Sequence, residues 1–476
     1  MRRTILGDIS ASTFQILFNQ ISGLLIFYIL SRYLSKDLFG EVNWLTAVVI
    51  VSFTILGFGI DQIVIRRIAS GQNPSSVLSL HLIHIISSSC LFFGVVVICK
   101  LFFKEFFAQH YLLLWVSLSQ FLLFLSSPFK QLANGKEKFR HLMLMSIISS
   151  TIRVVSLLLL AFFQNITINL VIGVFLASTA CELIGCIIIV NGYLRVPFSL
   201  NWSKKKYHSL IRESLPQLGV VILNAGILRF DWIILGILAK QVILAEYSFA
   251  YRVFEISSLP LFIIAPLLLP RFTRYFSESS FEYDRSQKLK DLFVFLRLSI
   301  VLACITSLVI NLVWVDFVDS ITDNRYGAVN KNSILILSAA LPFIYLNNFL
   351  WTIHFATNRV KRILFITLIT FLVNISADFL LIPFLKAEGA AIAILIAFIV
   401  QSILYSQKAN VPGLAKIWQT ILFCGLSAVV CGWLAKYGFE NLKVSLLLAL
   451  TTYSIILIAG NQVKLIDWLV LKRVLR

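Results

Sequence analysis

The chain has 476 residues, 59% apolar and only 13% charged, with a mean hydropathy of +0.90. So few polar residues could not cover a water-facing surface, which excludes an ordinary soluble fold, and ordinary Gly and Pro usage with 40 Phe excludes collagen-like and disordered chains. The formal charge of +19, from 41 Lys and Arg against 22 Asp and Glu, would suggest nucleic acid for a soluble protein; in a membrane chain it reads as topology, and no nucleic-acid partner is expected.

Apolar stretches of 18 to 25 residues bounded by charges predict about fourteen spanning helices. In chain order they cover 10–31, 43–60, 77–99, 108–128, 141–163, 168–191, 214–238, 247–270, 293–315, 332–354, 363–384, 388–406, 417–434 and 443–461. The first is read as an uncleaved span, because Gln15, Asn19 and Gln20 interrupt the apolar run a signal peptide needs. Of the 41 Lys and Arg, 27 fall on the side of both termini and 10 on the other; Arg153, Arg229, Arg252 and Arg297 lie in or at the edge of spans. Both termini are therefore predicted cytoplasmic.

The long loops 192–213 and 271–291 fall on the cytoplasmic side. In the first, Trp202, Tyr207, Leu210 and Ile211 mixed with Lys204, Lys205 and Lys206 suit a short helix on an anionic leaflet, or a plain orientation signal. The longest external loop, about 316–331, is too short for a catalytic domain. Trp44, Trp314, Trp418 and Trp433 fit an aromatic belt, and His81, His84, His110, His141 and His208 fall at span ends or loops, with His354 a weak cavity candidate. Seven Cys without metal-ligand spacing predict neither disulfides nor a metal site. The chain holds no phosphate-cradling G-x-x-x-x-G-K-[ST] and no Ser/His/Asp constellation, so no catalytic residue, cofactor or ATP-driven engine is expected.

The segment Ile29–Leu34 resembles Ile237–Val242 at an offset of 208, and Lys136–Arg140 parallels Arg359–Ile363 at an offset of 223. These matches predict two six-helix parallel repeats, an N-terminal and a C-terminal bundle around a central cavity, plus two extra C-terminal helices. The implied division is 1–191 for the first bundle, 192–213 for a basic linker, 214–406 for the second bundle and 407–476 for helices thirteen and fourteen with a basic tail. The expected fold class is an all-α polytopic membrane protein.

Charges in hydrocarbon are costly, so deep ionisable residues should face water or one another. The deep ones are Arg153, near mid-membrane, with Glu182, Arg229, Asp231, Arg252, Glu255 and Asp378. Arg229 and Asp231, two apart, cannot pair along one face, whereas Arg252 and Glu255, three apart, can, as a structural bridge or as part of a pathway. Asn374 with Asp378, and Gln15 with Asn19, form polar stripes that suit helix packing or a pathway.

Several pieces resemble the multidrug/oligosaccharidyl-lipid/polysaccharide exporter superfamily, specifically its polysaccharide (O-antigen type, Wzx-like) flippase branch. They are Ser31 to Gly40 (SRYLSKDLFG), Gly57 and Gly59 with Asp61, Arg66 and Arg67, then Arg229 to Asp231 with Gly236, Tyr247 to Arg252, Pro266 and Pro270, and Gly389 to Ala393. Glu246 stands where the family usually has Gly, and Ile394 where Thr is common. The resemblance implies a bacterial plasma-membrane flippase, not an enzyme, that moves undecaprenyl-pyrophosphate-linked oligosaccharide by alternating access. It implies membrane lipids, a polymerase and a chain-length regulator of the same pathway as partners. On that reading Arg153, Arg229 and Arg252 attract the pyrophosphate and acidic sugars, and Asp231, Glu255 or Asp378 titrates to couple proton or sodium movement. The alternatives are a cation-coupled multidrug exporter, a lipid II flippase, whose first-span Arg-Asp pairing is not seen, and a membrane enzyme such as an O-antigen polymerase.

Overall fold

A computed structural model describes residues 2–197, 202–261, 282–357, 359–407, 414–438, 441–464 and 467, with side chains from residue 11 and, in the helix starting at 282, from 292. Among these residues all regular structure is helical. The first half holds α1 (Arg2–Tyr33), α2 (Lys36–Leu56), α3 (Ile60–Ala69), α4 (Pro74–Phe102), α5 (Lys104–Gln109), α6 (Leu112–Gly135), α7 (Phe139–Phe162) and α8 (Ile168–Ile188), the last running into a π-helical turn. There follow α9 (Lys204–Leu238), α10 (Gln241–Ser257), α11 (Glu282–Thr322), α12 (Lys331–Ala339), α13 (Leu341–Ala356), α14 (Val360–Ser406), α15 (Leu414–Gly438) and α16 (Leu442–Ala459).

Twelve described helices are long and apolar enough to cross a membrane. One of them, α14, has 47 residues, which as a straight helix would run to about 70 Å, more than twice the hydrocarbon thickness. It is instead a hairpin. Lys386 leaves helical geometry (φ 51, ψ −121), and a Cβ on Gly389 would lie 2.6 Å from the carbonyl oxygen of Leu381, whereas eight residues of straight helix separate by about 12 Å. The predicted spans 363–384 and 388–406 are therefore its two arms. Thirteen predicted spans coincide with described helices; the eighth is described only through α10, and Pro266, Pro270 and loop residues 271–281 lie outside the described residues.

Cross-helix bonds fix direction in this region. The Asn347 side-chain amide donates to the Phe398 carbonyl (3.0 Å) and His354 Nε2 donates to that of Tyr405 (3.2 Å), a constant separation of 51 residues. A constant separation means that α13 and the second arm of α14 run parallel, as spans ten and twelve of an alternating series must.

The chain divides into two compact units, residues 1–236 with 240–245, and residues 237–239 with 246–476. In unit 1, α7 packs on α1 and α8, and α6 packs on α2, α3, α4 and α8. In unit 2, α11 packs on α12, α13, α15 and α16, so the two additional helices dock on its flank. Tyr453 of α16 donates to the Cys424 carbonyl of α15 (3.1 Å), and Arg297 of α11 holds both oxygens of the buried Asp467 at 2.7 Å.

Helix ends correct the repeat register. The α1–α2 and α9–α10 junctions superpose at an offset of 205, and the α6–α7 and α13–α14 junctions at 221. The sequence matches thus run two to three residues out of step, because short apolar segments give similar letters at neighbouring helical positions. The basic segment of loop 192–213 also differs from a separate surface helix: it forms the first turns of α9, with Tyr207, Leu210 and Ile211 packed on a protein core containing Ile60, Val64 and Leu132. Two of the belt tryptophans are core residues instead. Trp44 is 7% exposed, and Trp314, 3% exposed, donates to the Gly327 carbonyl of the loop after α11 (2.9 Å); Trp433 is well exposed.

Trp44 shows what brings α2 against α9 and α10. Its indole donates to the Ile233 carbonyl (3.2 Å) and lies where a Cβ on Gly236 would sit, 1.9 Å away. A Cβ on Gly40 would fall 2.0 Å from the Gln241 carbonyl oxygen. Small residues allow this approach, as is usual between membrane helices. Gly40→Ala should destabilise the protein by about 1 to 3 kcal/mol, read as a lower thermal midpoint in detergent. Gly236→Ala should be partly rescued by Trp44→Leu, because its obstacle is a side chain, and Gly40→Ala should not be, because its obstacle is backbone.

Candidate transport site

Ser146, Ser149, Ser150 and Arg153 lie at i, i+3, i+4 and i+7, which places them on one face of α7. Phe175, Ser178, Thr179 and Glu182 repeat that spacing on α8. The two stripes meet antiparallel. Ser149 donates to the carboxylate of Glu182, which is fully buried, and one turn away Arg153 Nε donates to Ser178 Oγ (2.8 Å) with its guanidinium 4.7 Å from the centre of the Phe175 ring. On the other flank Ser150 donates to Asn19 of α1 (3.0 Å).

The partner of Glu182 is Lys130 of α6, in direct ion-pair contact. The predicted fourth span, 108–128, stops short of Lys130, whereas α6 continues through Pro128 to Gly135. Arg153 spends only Nε on hydrogen bonding to the protein, and among the described residues its two terminal nitrogens make no hydrogen bond. The side chain is half-buried.

The other candidates divide between the units. In unit 1, Arg229 of α9 lies 4.8 Å from the Trp232 ring centre, while Asp231 is fully buried and accepts from the Trp232 backbone N–H (2.8 Å). In unit 2, Arg252 pairs with Glu255 at 2.6 Å, as their spacing predicted. Asn374 and Asp378 are buried on the first arm of α14, and the Asn374 amide has no hydrogen-bond partner among the described residues.

Two of the histidines placed at span ends, His81 and His84, are buried. His81 lies 3.2 Å from Asp61, which also accepts from Ser127 (3.0 Å); His84 contacts the Tyr207 hydroxyl (3.0 Å) and the Leu56 carbonyl (2.8 Å). His354 serves the α13–α14 contact. At the same end of unit 1, Arg66 and Arg67 converge on Glu213, in the first turns of α9 ahead of its apolar stretch. Arg67 also donates to Ser209 (3.0 Å), which donates to Glu213 (2.9 Å). The Arg67 bond, outweighing desolvation and joined by Ser209 and Arg66, holds the Glu213 carboxyl down at about 2.

Residues 5–276 match the family model described as "Polysaccharide biosynthesis protein". The chain belongs to the polysaccharide biosynthesis protein family. No curated protein matches the sequence. Among solved structures, this family member is similar to the inward-closed lipid II flippase MurJ (15% identity, TM-score 0.73, covering 94% of this chain and 98% of that one). It is also similar to an inward-facing multidrug-resistance MATE transporter of the MOP superfamily (12% identity, TM-score 0.63, 84% and 95% covered). A third likeness is to a MOP superfamily transporter from Pyrococcus furiosus, described as having a binding pocket of reverse polarity (11% identity, TM-score 0.56, 87% and 95% covered). These likenesses establish the fold that the sequence resemblance implied. The family member is thus a multi-pass membrane protein, and the solved structures it is similar to are those of a flippase and of transporters.

Two predictions follow from the ion pairs of this polysaccharide biosynthesis family member. Lys130→Met should cost about 3 to 5 kcal/mol by stranding a buried carboxylate, and adding Glu182→Gln should recover most of it; thermal unfolding of the two variants checks this. Because Glu213 sits below its ordinary value near 4.5, its stabilisation is present above that pH and fades as pH falls toward 2. Thermal midpoints measured between about pH 6 and pH 3 should fall in the wild type more steeply than in Glu213→Gln.

Proposed function

We propose that this protein flips undecaprenyl-pyrophosphate-linked oligosaccharide repeat units from the cytoplasmic to the outer leaflet of the bacterial plasma membrane, by ion-coupled alternating access. Both termini are cytoplasmic in this reading, and the first and second six-span sets, divided at the 192–213 linker, move about a central passage. The polyprenyl tail stays in lipid, and a polymerase and chain-length regulator take the repeat unit onward. The O-antigen class of cargo rests on the motifs of the sequence.

The observation that carries the reading is Arg153. A half-buried guanidinium in mid-span with both terminal nitrogens unspent among the described residues is unfavourable against hydrocarbon. It is well suited to a phosphate, which accepts two parallel N–H bonds from one guanidinium. Arg229 and Arg252 are the further candidates for the pyrophosphate and acidic sugars, and Asp231, Glu255 and Asp378 for coupling to protons or sodium.

A cation-coupled multidrug exporter is the second reading, favoured by the full burial of Asp231 and Asp378 and by the MATE likeness. Polarity separates the two: the arginines suit an anionic headgroup and would repel cationic drugs.

The test is complementation of a strain lacking its own repeat-unit translocase. Arg153→Gln should lower surface polysaccharide about ten-fold or more, the loss of one to two charge-assisted bonds. Arg153→Lys should retain part of the activity, and Lys138→Gln, at an exposed loop position, should match wild type. Wild-type export by Arg153→Gln, or drug resistance without export, refutes the lipid-linked cargo. In the same strain, Asp231→Asn, Glu255→Gln and Asp378→Asn should include at least one variant whose export no longer varies with external pH or sodium.

A further inference from the structure

A cavity of about 500 Å³ lies in unit 1 where α3 ends and α4 and α9 begin. Its basic lining is Arg67, Lys205 and Lys206, against Glu213 as the carboxylate. Glu213 is already committed to Arg66 and Arg67, so the charge of the two lysines is surplus. Arg67 is 7% exposed and rigidly held, whereas Lys205 and Lys206 stand on exposed turns, with Lys206 Nζ 3.4 Å from Ser76 Oγ on the first turn of α4. A second cavity of about 410 Å³ shares Lys205 and Glu213 and adds His208 and Arg212, so the basic character continues round α9.

Depth decides what such a cavity meets. It touches the first turns of α4 and the turns of α9 that precede its apolar stretch, which is the headgroup level of a bilayer. Val77 and Leu80 supply an apolar wall beneath the basic rim. Trp202, 56% exposed and 4.9 Å from the Tyr207 ring, stands nearby as an interfacial aromatic. Lys and Arg side chains on the side the charge bias assigns to the cytoplasm face the leaflet that carries anionic lipid.

We propose that this cavity binds the phosphate of an anionic glycerophospholipid headgroup, with Lys205, Lys206 and Ser76 as its ligands and Val77 and Leu80 against the glycerol end. Arg67 and Glu213 form the rigid back wall. The site fixes the start of α9 to the leaflet, and it does not depend on the cargo the protein carries.

The test uses the full-length protein in uncharged detergent, titrated with dioctanoyl phosphatidylglycerol, dioctanoyl phosphatidylcholine and inorganic phosphate, with thermal midpoint and tryptophan fluorescence as readouts. Phosphatidylglycerol should stabilise wild type saturably and the other two should not. Lys205→Gln with Lys206→Gln should weaken that binding about ten-fold or more. Lys136→Gln with Lys138→Gln, which removes the same charge from another loop on the same predicted side, should leave it unchanged, and Lys205→Arg with Lys206→Arg should restore it. Equal weakening by both glutamine pairs would overturn the proposal in favour of diffuse charge. An equal response to inorganic phosphate would overturn the lipid assignment.

Discussion

The cost of holding charge away from water governs this molecule. An ion inside a low-dielectric bundle survives only when it is paired or faces a polar partner, and removing one partner of a pair is far more costly than never having built it. Glu182 illustrates the rule, since Lys130 and Ser149 reach it from two different helices and thereby fix α6, α7 and α8 together. Arg153, one turn away, donates Nε to Ser178 of the same α7–α8 contact and presents its terminal nitrogens. The helix contact that Glu182 helps to hold therefore also positions the feature that suits a phosphate.

Close packing of small residues is the complementary constraint. Hydrocarbon offers helices no hydrophobic reason to associate with one another, so van der Waals contact and hydrogen bonds must do it. Gly40 and Gly236 let α2 meet the α9–α10 turn at backbone distance, and the Trp44 indole fills the space above Gly236 while bonding to Ile233. Both glycines belong to motifs by which the sequence resembles its family, and their role there is steric.

Much of the fold is legible in the sequence because membrane spans are long and announce themselves by hydropathy; even the α14 hairpin is read correctly as two spans, since 47 residues exceed one crossing. The buried polar contacts are less legible. The i, i+3, i+4, i+7 serine stripe ending at Arg153 is visible by spacing alone and marks the correct face of α7. Lys130 is not, because Pro128 looks like a span end, although a proline inside a membrane helix is tolerated when neighbours satisfy the freed carbonyl. His81 and His84 look interfacial by position, but their partners Asp61 and Tyr207 lie on other elements, and no local pattern reveals such long-range pairing.

The two units differ in how their charges are held. In unit 1 Lys130 reaches Glu182 from another helix, and at one end Arg66 and Arg67 share Glu213 with Lys205 and Lys206 beside it. In unit 2 Arg252 pairs with Glu255 and Arg297 with Asp467, and Asp378 is buried on the first arm of α14. A guanidinium in mid-span with its terminal nitrogens unspent among the described residues suits an anionic group and would repel a cationic drug, which is why, under the proposed function, the charge of Arg153 weighs more than the burial of any single carboxylate.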